Sequence, residues 1–199
     1  MKLTPAEFAF MNTRNRQRAM GYEFGALIKH LKKHGIDLNG KVILDAGCGP
    51  GFSTGLISLE FRPSRLVAFD LMPEMVELAR KHTTAEFFVG NITDTGLPPG
   101  TFDAVFIFDV LHHEPGWRTA LQEMARVLKP DGVLLVEEPS KQLVRLGNLF
   151  DMYHPPEAMF GWSELRRGLL STGFKILENG RLGLGLFQNY LCRKEEASL

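Results

Sequence analysis

The sequence predicts an α/β fold, a doubly wound and mostly parallel sheet with helices on both faces. Three observations lead there. Short apolar runs of strand length alternate with stretches whose apolar residues recur at helical spacing, the pattern of successive βαβ units. One run, FDAVFIFD (102–109), is apolar almost throughout, as a strand buried on both faces should be. A third run, VILDA, passes straight into a glycine-rich turn that opens a helix.

Each element has its own signal. A short helix is expected around Phe8 and Met11. A longer one is expected over 16–34, where Met20, Phe24, Leu27, Ile28 and Leu31 share a face and Gly35 ends the run. Strands follow at 41–46, 65–70 and 86–90, with a helix at 73–81 that starts on Pro73. After the apolar strand at 102–109, Trp117, Leu121, Met124 and Leu128 form one stripe of a further helix. KPDG (129–132) reads as a turn before the strand VLLVEE (133–138). Residues 139–161 show no strong period. SELRRGLLSTG (163–173) reads as a helix capped by Ser163 and ended by Gly173, and FKILEN and LFQNYLCRK as two closing strands.

Length and composition bound the rest. The chain has 199 residues, 44% of them hydrophobic and 23% charged, which suits a globular chain with a full core. One domain is expected over 1–199: a helical region 1–40, a ligand-binding core 41–139, and a segment 140–199 with the closing strands. Net charge is zero, so no global positive field favours nucleic acid. Residues 1–41 hold eight Lys/Arg against three Asp/Glu, which reads as a solvated face or as one for anions, including an anionic membrane surface. Cys48 and Cys192 lack CxxC spacing, so neither a disulfide framework nor a thiolate metal site is expected. No signal peptide and no membrane span is expected, and the expected compartment is the cytoplasm. Oligomeric state has no signal in the sequence.

In a parallel sheet the ligand lies beyond the carboxyl ends of the strands, at the topological switch point. The candidate positions are therefore AGCGPG (46–51), Asp70, Gly90–Asn91, Asp109–Glu114 and Glu137–Ser140. Gly47 and Gly49 let a ligand approach the backbone. Asp70 follows Gly51 by 19 residues, at the end of the next strand, where a carboxylate takes ribose hydroxyls. The dinucleotide fingerprint needs glycine at 52, which is Phe52, and no phosphate-binding P-loop motif is present. Asp45 at the base of the loop repels a pyrophosphate and suits a cationic ligand such as S-adenosylmethionine (SAM), with its sulfonium and ammonium.

LDAGCGPG, FVGNITDTGLPPGTFDAVF, DVLHHEP and VLKPDGVLLVEEP occur in this order from Val42 to Pro139. Together they resemble class I SAM-dependent methyltransferases, with the flavour of the ubiquinone/menaquinone C-methyltransferase-like small-molecule group. The resemblance implies a Rossmann-like methyltransferase fold, a three-layer αβα sandwich on a seven-stranded sheet of order 3-2-1-4-5-7-6 with strand 7 antiparallel. It implies that Ala46, Gly47 and Gly49 hold the methionine end of SAM, with Asp45 supporting the loop. Asp70 would bind the ribose, Leu71 and Met72 would pack on the adenine, and Asn91 and Ile92 would meet its edge. Asn91 stands where relatives commonly carry Asp; its amide oxygen can still accept from the adenine amino group. The backbone at Phe108 and Asp109 would approach the ammonium.

The implied activity is transfer of the SAM methyl to an O, N or C nucleophile of a small-molecule acceptor, releasing S-adenosylhomocysteine (SAH). A catalytically silent SAM-binding regulatory or partner subunit is the alternative. Positioning the nucleophile supplies much of the rate, and some nucleophiles also need a base. His113, and then His112, are the candidates; a purely structural role is the rival reading. No metal site is expected, because adjacent residues leaving a strand point to opposite sides and so chelate poorly together. Arg14 and Arg18, spaced i, i+4, would hold an acidic group of the acceptor. Tyr153 and His154 would line its pocket. Nucleic-acid acceptors are disfavoured, since [DN]-P-P-[YF] is replaced by DVLH after the fourth strand and neither cysteine is placed as a nucleophile.

Overall fold

A computed structural model describes residues 3–150 and 152–195. Lys2, part of the basic excess, lies outside them. The elements are α1 (Pro5–Met11), α2 (Arg14–Lys33), β1 (Val42–Ala46), α3 (Phe52–Phe61), β2 (Arg65–Asp70), α4 (Pro73–His82), β3 (Glu86–Val89) and β4 (Phe102–Phe108). They continue with α5 (Trp117–Val127), β5 (Leu128–Pro139), α6 (Lys141–Gly147), α7 (Trp162–Ser171), β6 (Phe174–Leu182) and β7 (Phe187–Lys194). The seven strands form one sheet of order β3-β2-β1-β4-β5-β7-β6, with β7 antiparallel to both neighbours. The expected topology is the one observed.

Strand alternation divides the core between the two faces. On one, Ile43, Leu66, Ala104, Phe106 and Leu135 pack with Phe24, Leu27 and Leu31 of α2 and Ile57 and Phe61 of α3. On the other, Leu44, Val67, Val105, Ile107 and Leu134 pack with Trp117, Leu121 and Met124 of α5 and Leu165 and Leu169 of α7. Both faces of β4 are therefore filled, which is why its sequence has almost no polar alternation. The order reverses between β1 and β4, so the cleft opens above the carboxyl ends of these two strands.

Three local expectations are corrected. The KPDG segment lies inside β5 as an irregularity, with Asp131 at φ 59° and a register shift opposite Phe102/Ala104. Helix α7 is capped at Gly161, not Ser163; the Glu164 carboxylate reaches back 2.7 Å to the Gly161 amide. Segment 139–161 holds helix α6, capped by the Ser140 hydroxyl accepting from the Leu143 amide. Among the described residues no helix is long and apolar enough to cross a membrane.

Candidate functional site

The loop after β1 is shaped by close backbone packing. Gly47 sits at φ 79°, and a Cβ there would lie 2.4 Å from Val110 Cγ2. The Gly47 and Cys48 amides donate to the Phe69 carbonyl, both at 2.9 Å, which ties the loop to the end of β2. Asp45 is buried beneath it and accepts from Ser53 Oγ at 2.7 Å and Thr54 Oγ1 at 2.6 Å. It thus fastens β1 to the first turn of α3. Burial pushes its pKa up to about 6, against the pull of the two hydroxyls.

Asp70 forms the opposite lip. Its Oδ2 accepts from the Gly49 amide and its Oδ1 from the Met72 amide, both at 2.9 Å. Gly47, Gly49, Asp70, Leu71, Met72, Asn91, Ile92, Phe108 and Asp109 all border one groove that is open to solvent. Ala46 and Asp45 lie beneath it, buried. Asn91 turns its Oδ1 onto its own turn, accepting from Thr93 N at 3.0 Å and Oγ1 at 2.9 Å. That oxygen is therefore more committed than the sequence suggested.

Asp109 leaves β4 at φ 57° and faces a buried charge network. Arg16 donates to Asp109 Oδ2 at 2.5 Å and to Glu23 Oε2 at 2.8 Å. Glu137 lies in the same field, buried near Asn189 and with no well-formed hydrogen bond to either oxygen among the described residues. Its pKa is raised to about 9, by burial first and then by Asp109 and Glu23, so it is a neutral acid near pH 7. Arg16 is thus fully engaged. Arg14 and Arg18, expected to reach the acceptor, are exposed and border neither cavity of the cleft. They do share a face, but it is the solvent face. The buried stripe of Met20, Phe24, Leu27 and Leu31 extends back one turn to Arg16 and includes Glu23. Two ionisable residues on an apolar stripe were the missed signal.

A second cavity, of about 430 Å³, lies beyond Asp109. Its walls are mostly apolar: Phe10 and Met11 of α1, Leu143 and Val144 of α6, Phe150 and Phe187. Met11, Asp109 and His113 border both spaces, so the groove and the cavity meet there. Of the two expected aromatic-segment residues, His154 is on the cavity wall and buried; Tyr153 is 56% exposed and is not part of it.

The histidines do not point apart. Leu111–His113 is a 3₁₀ turn, not strand continuation, and its tight winding brings the rings of His112 and His113 to 4.1 Å between centroids. That removes the geometric ground for discounting joint chelation. Glu138, wholly buried at the end of β5, organises the turn. It accepts from the amides of Val110, Leu111 and His112, and lies 2.8 Å from His112 Nδ1. His154 comes from the far segment and stacks at 4.7 Å from His113 and 5.1 Å from His112. Its Nδ1 lies 2.6 Å from Asn148 Oδ1, and Glu7 Oε1 stands 3.3 Å from His113 Nε2 and 3.4 Å from His154 Nε2. Burial pushes His112 down to about 3 and His113 well below the usual range, so both rings are neutral.

The groove residues fit SAM on three observations. The missing Cβ at Gly47 keeps the loop backbone accessible, the Asp70 carboxylate stands at the lip, and the buried Asp109 Oδ1 lacks a hydrogen-bond partner beside the groove, where a cationic group suits it. A seven-stranded sheet of this order with such a groove at its switch point is the Rossmann-like methyltransferase architecture. Comparison with known proteins agrees. Residues 44–136 match the family described as Methyltransferase domain. The fatty-acid O-methyltransferase of Mycolicibacterium smegmatis is 35% identical over 102 residues, 50% of this chain and 37% of that protein. The demethylmenaquinone methyltransferase of Lactococcus lactis is 34% identical over 133 residues, 63% of this chain and 52% of that one. A SAM-dependent methyltransferase structure from Aquifex aeolicus superposes with a TM-score of 0.75 at 22% identity, covering 97% of this chain and 100% of that one. Over residues 44–136 the chain thus resembles methyltransferase domains, and its fold is that of SAM-dependent methyltransferases. It spans about half the length, or less, of these curated relatives.

Proposed function

We propose that this protein methylates an apolar small molecule at one nucleophilic atom, with SAM in the groove and the acceptor in the second cavity. The observation that carries the reading is the junction of the two spaces at Met11, Asp109 and His113. SAM supplies an electrophilic methyl on a sulfonium. The chain's part is to hold both reactants in line and exclude water. Asp70 takes the ribose, Leu71 and Met72 pack on the adenine, and Asn91 and Ile92 border its edge. Backbone at Ala46, Gly47, Gly49, Phe108 and Asp109 faces the methionine end, and Asp109 Oδ1 attracts its ammonium. His113 stands at the junction and orients the nucleophile; His112, held by Glu138, backs it. His154 lines the acceptor wall.

The cavity's apolar lining, together with the engagement of Arg16 by buried acids, favours an acceptor with an apolar body and no anionic group other than the reacting one. An oxygen nucleophile fits best, in keeping with the fatty-acid O-methyltransferase among the relatives. Calorimetric titration is expected to show SAH binding and no NADH binding; the reverse result sinks the reading. SAH release should then appear with some member of a panel of phenols and fatty carboxylic acids. Binding of SAH with no release on any acceptor would turn the assignment to a silent SAM-binding subunit.

A further inference from the structure

We propose that Glu7, His112, His113 and His154 form a site for one divalent first-row transition-metal ion, of the zinc type, on the wall of the acceptor cavity. A ring nitrogen from each histidine lies within 4.8 Å of those of the other two. Glu7 Oε1 adds a carboxylate 3.3 Å from His113 and 3.4 Å from His154. Three imidazoles with one carboxylate suit zinc and its neighbours in the row, whereas magnesium and calcium select all-oxygen sets.

Hydrogen bonding around the cluster points the same way. Asn148 Oδ1 accepts the His154 backbone amide at 2.9 Å and also lies 2.6 Å from His154 Nδ1. An oxygen takes a proton from that ring, so Nδ1 is held by Asn148 and Nε2 is left facing Glu7 Oε1 at 3.4 Å, with Glu7 5% and His154 4% exposed. Glu7 Oε2 and His113 Nδ1 are buried without hydrogen-bond partners. His112 Nδ1 on Glu138 and His154 Nδ1 on Asn148 are the outer contacts that fix the rings of metal-bound histidines. The four side chains come from α1, the 3₁₀ turn after β4 and the segment before α7. An ion would therefore tie the N-terminal helix and the aromatic segment to the sheet.

Because the cluster borders the cavity, an ion held there would lie beside the acceptor and would favour one that offers an oxygen. This use of the ion rests on the methyl-transfer reading; the site itself does not. The test uses full-length protein stripped with a chelator and then titrated with Co²⁺, read by its visible d–d absorption and by Zn²⁺ competition, with SAH binding measured on the same samples. One saturating Co²⁺ per chain is expected, displaced by Zn²⁺. His113→Gln, His154→Ala and Glu7→Gln should each weaken it by at least ~10-fold, and Asn148→Ala by ~10- to 100-fold. His82→Ala, an exposed histidine elsewhere, should leave it unchanged. SAH binding with no saturable Co²⁺ uptake overturns the ion site and leaves the methyltransferase reading standing. Uptake untouched in both His113→Gln and His154→Ala, each still binding SAH, also overturns it. Stoichiometric uptake without SAH binding supports the ion site while removing the cofactor reading.

Discussion

The cofactor side of the cleft is made largely of the turns that follow β1 to β4, while the acceptor side is made mostly of side chains delivered from α1, α2, α6 and the segment before α7. The first carries charge at the rim, on Asp70, and meets the second at Asp109. The second buries a network of one arginine and three acids next to a cluster of three histidines. The difference teaches where tolerance lies. A backbone cradle is broken by adding an atom, a buried charge network by removing one.

Arg16 gives the largest expected effect. Replacing it by Met leaves Asp109 and Glu23 buried without their cation, and such a loss costs about 3–5 kcal/mol. The paired surface variant Arg14→Ala/Arg18→Ala should stay within about 0.5 kcal/mol per site. Urea unfolding of the two proteins measures both. Equal midpoints would show that the buried acids release no charge to be balanced, and the contrast between the two sides would lose its basis.

These same residues show what was legible. The cofactor side could be read because its signals are local: strand, Gly47 and Gly49, then Asp70 at the next strand end, all fixed by short-range geometry. The topology followed from alternation and from the resemblance. The acceptor side is assembled over long separations. Arg16 meets Asp109 across 93 positions, and no spacing in the chain announces such a pair. Some had a faint mark: Arg16 and Glu23 on an apolar stripe, and Glu137 and Glu138 ending an apolar strand. Glu7 and Asn148 had none. The helical spacing of Arg14 and Arg18 was read correctly, but which face was inward depended on a stripe one turn longer than the one recognised.

Next in size is Gly47→Ala. The added Cβ collides with Val110 at 2.4 Å, and the backbone angle itself is unfavourable for alanine. SAH affinity should fall by ~100-fold, about 2.7 kcal/mol. Gly49→Ala meets no atom within 4 Å and pays only for its φ of 51°, so a fall of ~10-fold is expected. Calorimetry with SAH ranks the two. The reverse order would mean that the tight contact under Gly47 is not what holds the loop.

Asp70→Ala should weaken SAH by ~10-fold, about 1.4 kcal/mol, since the proposed ribose contact and the acceptor for the Gly49 and Met72 amides would go together. Phe150→Ala borders the acceptor cavity alone and should leave SAH affinity unchanged. If Phe150→Ala weakened SAH as much as Asp70→Ala did, the two spaces would not be separate subsites.

An effect of similar size, but one that varies with pH, comes from the pin under the cofactor rim. Glu123 accepts from the Thr95 amide and hydroxyl and from Arg126, which also reaches the Leu97 carbonyl, so α5 holds the segment that follows Asn91 and Ile92. Hydrogen bonds from Arg126 and Thr95 lower its pKa from 4.5 to about 2. A carboxylate depressed in the folded state contributes stability that is complete above its unfolded pKa and is lost as pH falls through the folded one. Arg126 is 40% exposed, so solvent screening reduces the contribution to about 1–2 kcal/mol. The stability gap between the native protein and Glu123→Gln should therefore be constant above about pH 5 and close progressively toward about pH 2. Urea unfolding at stepped pH reads this directly. A gap independent of pH would assign the loss to the lost acceptor geometry and not to charge. A gap that opens on acidification would reverse the sign, and with it the view that the cofactor rim is held from below by an ionised carboxylate.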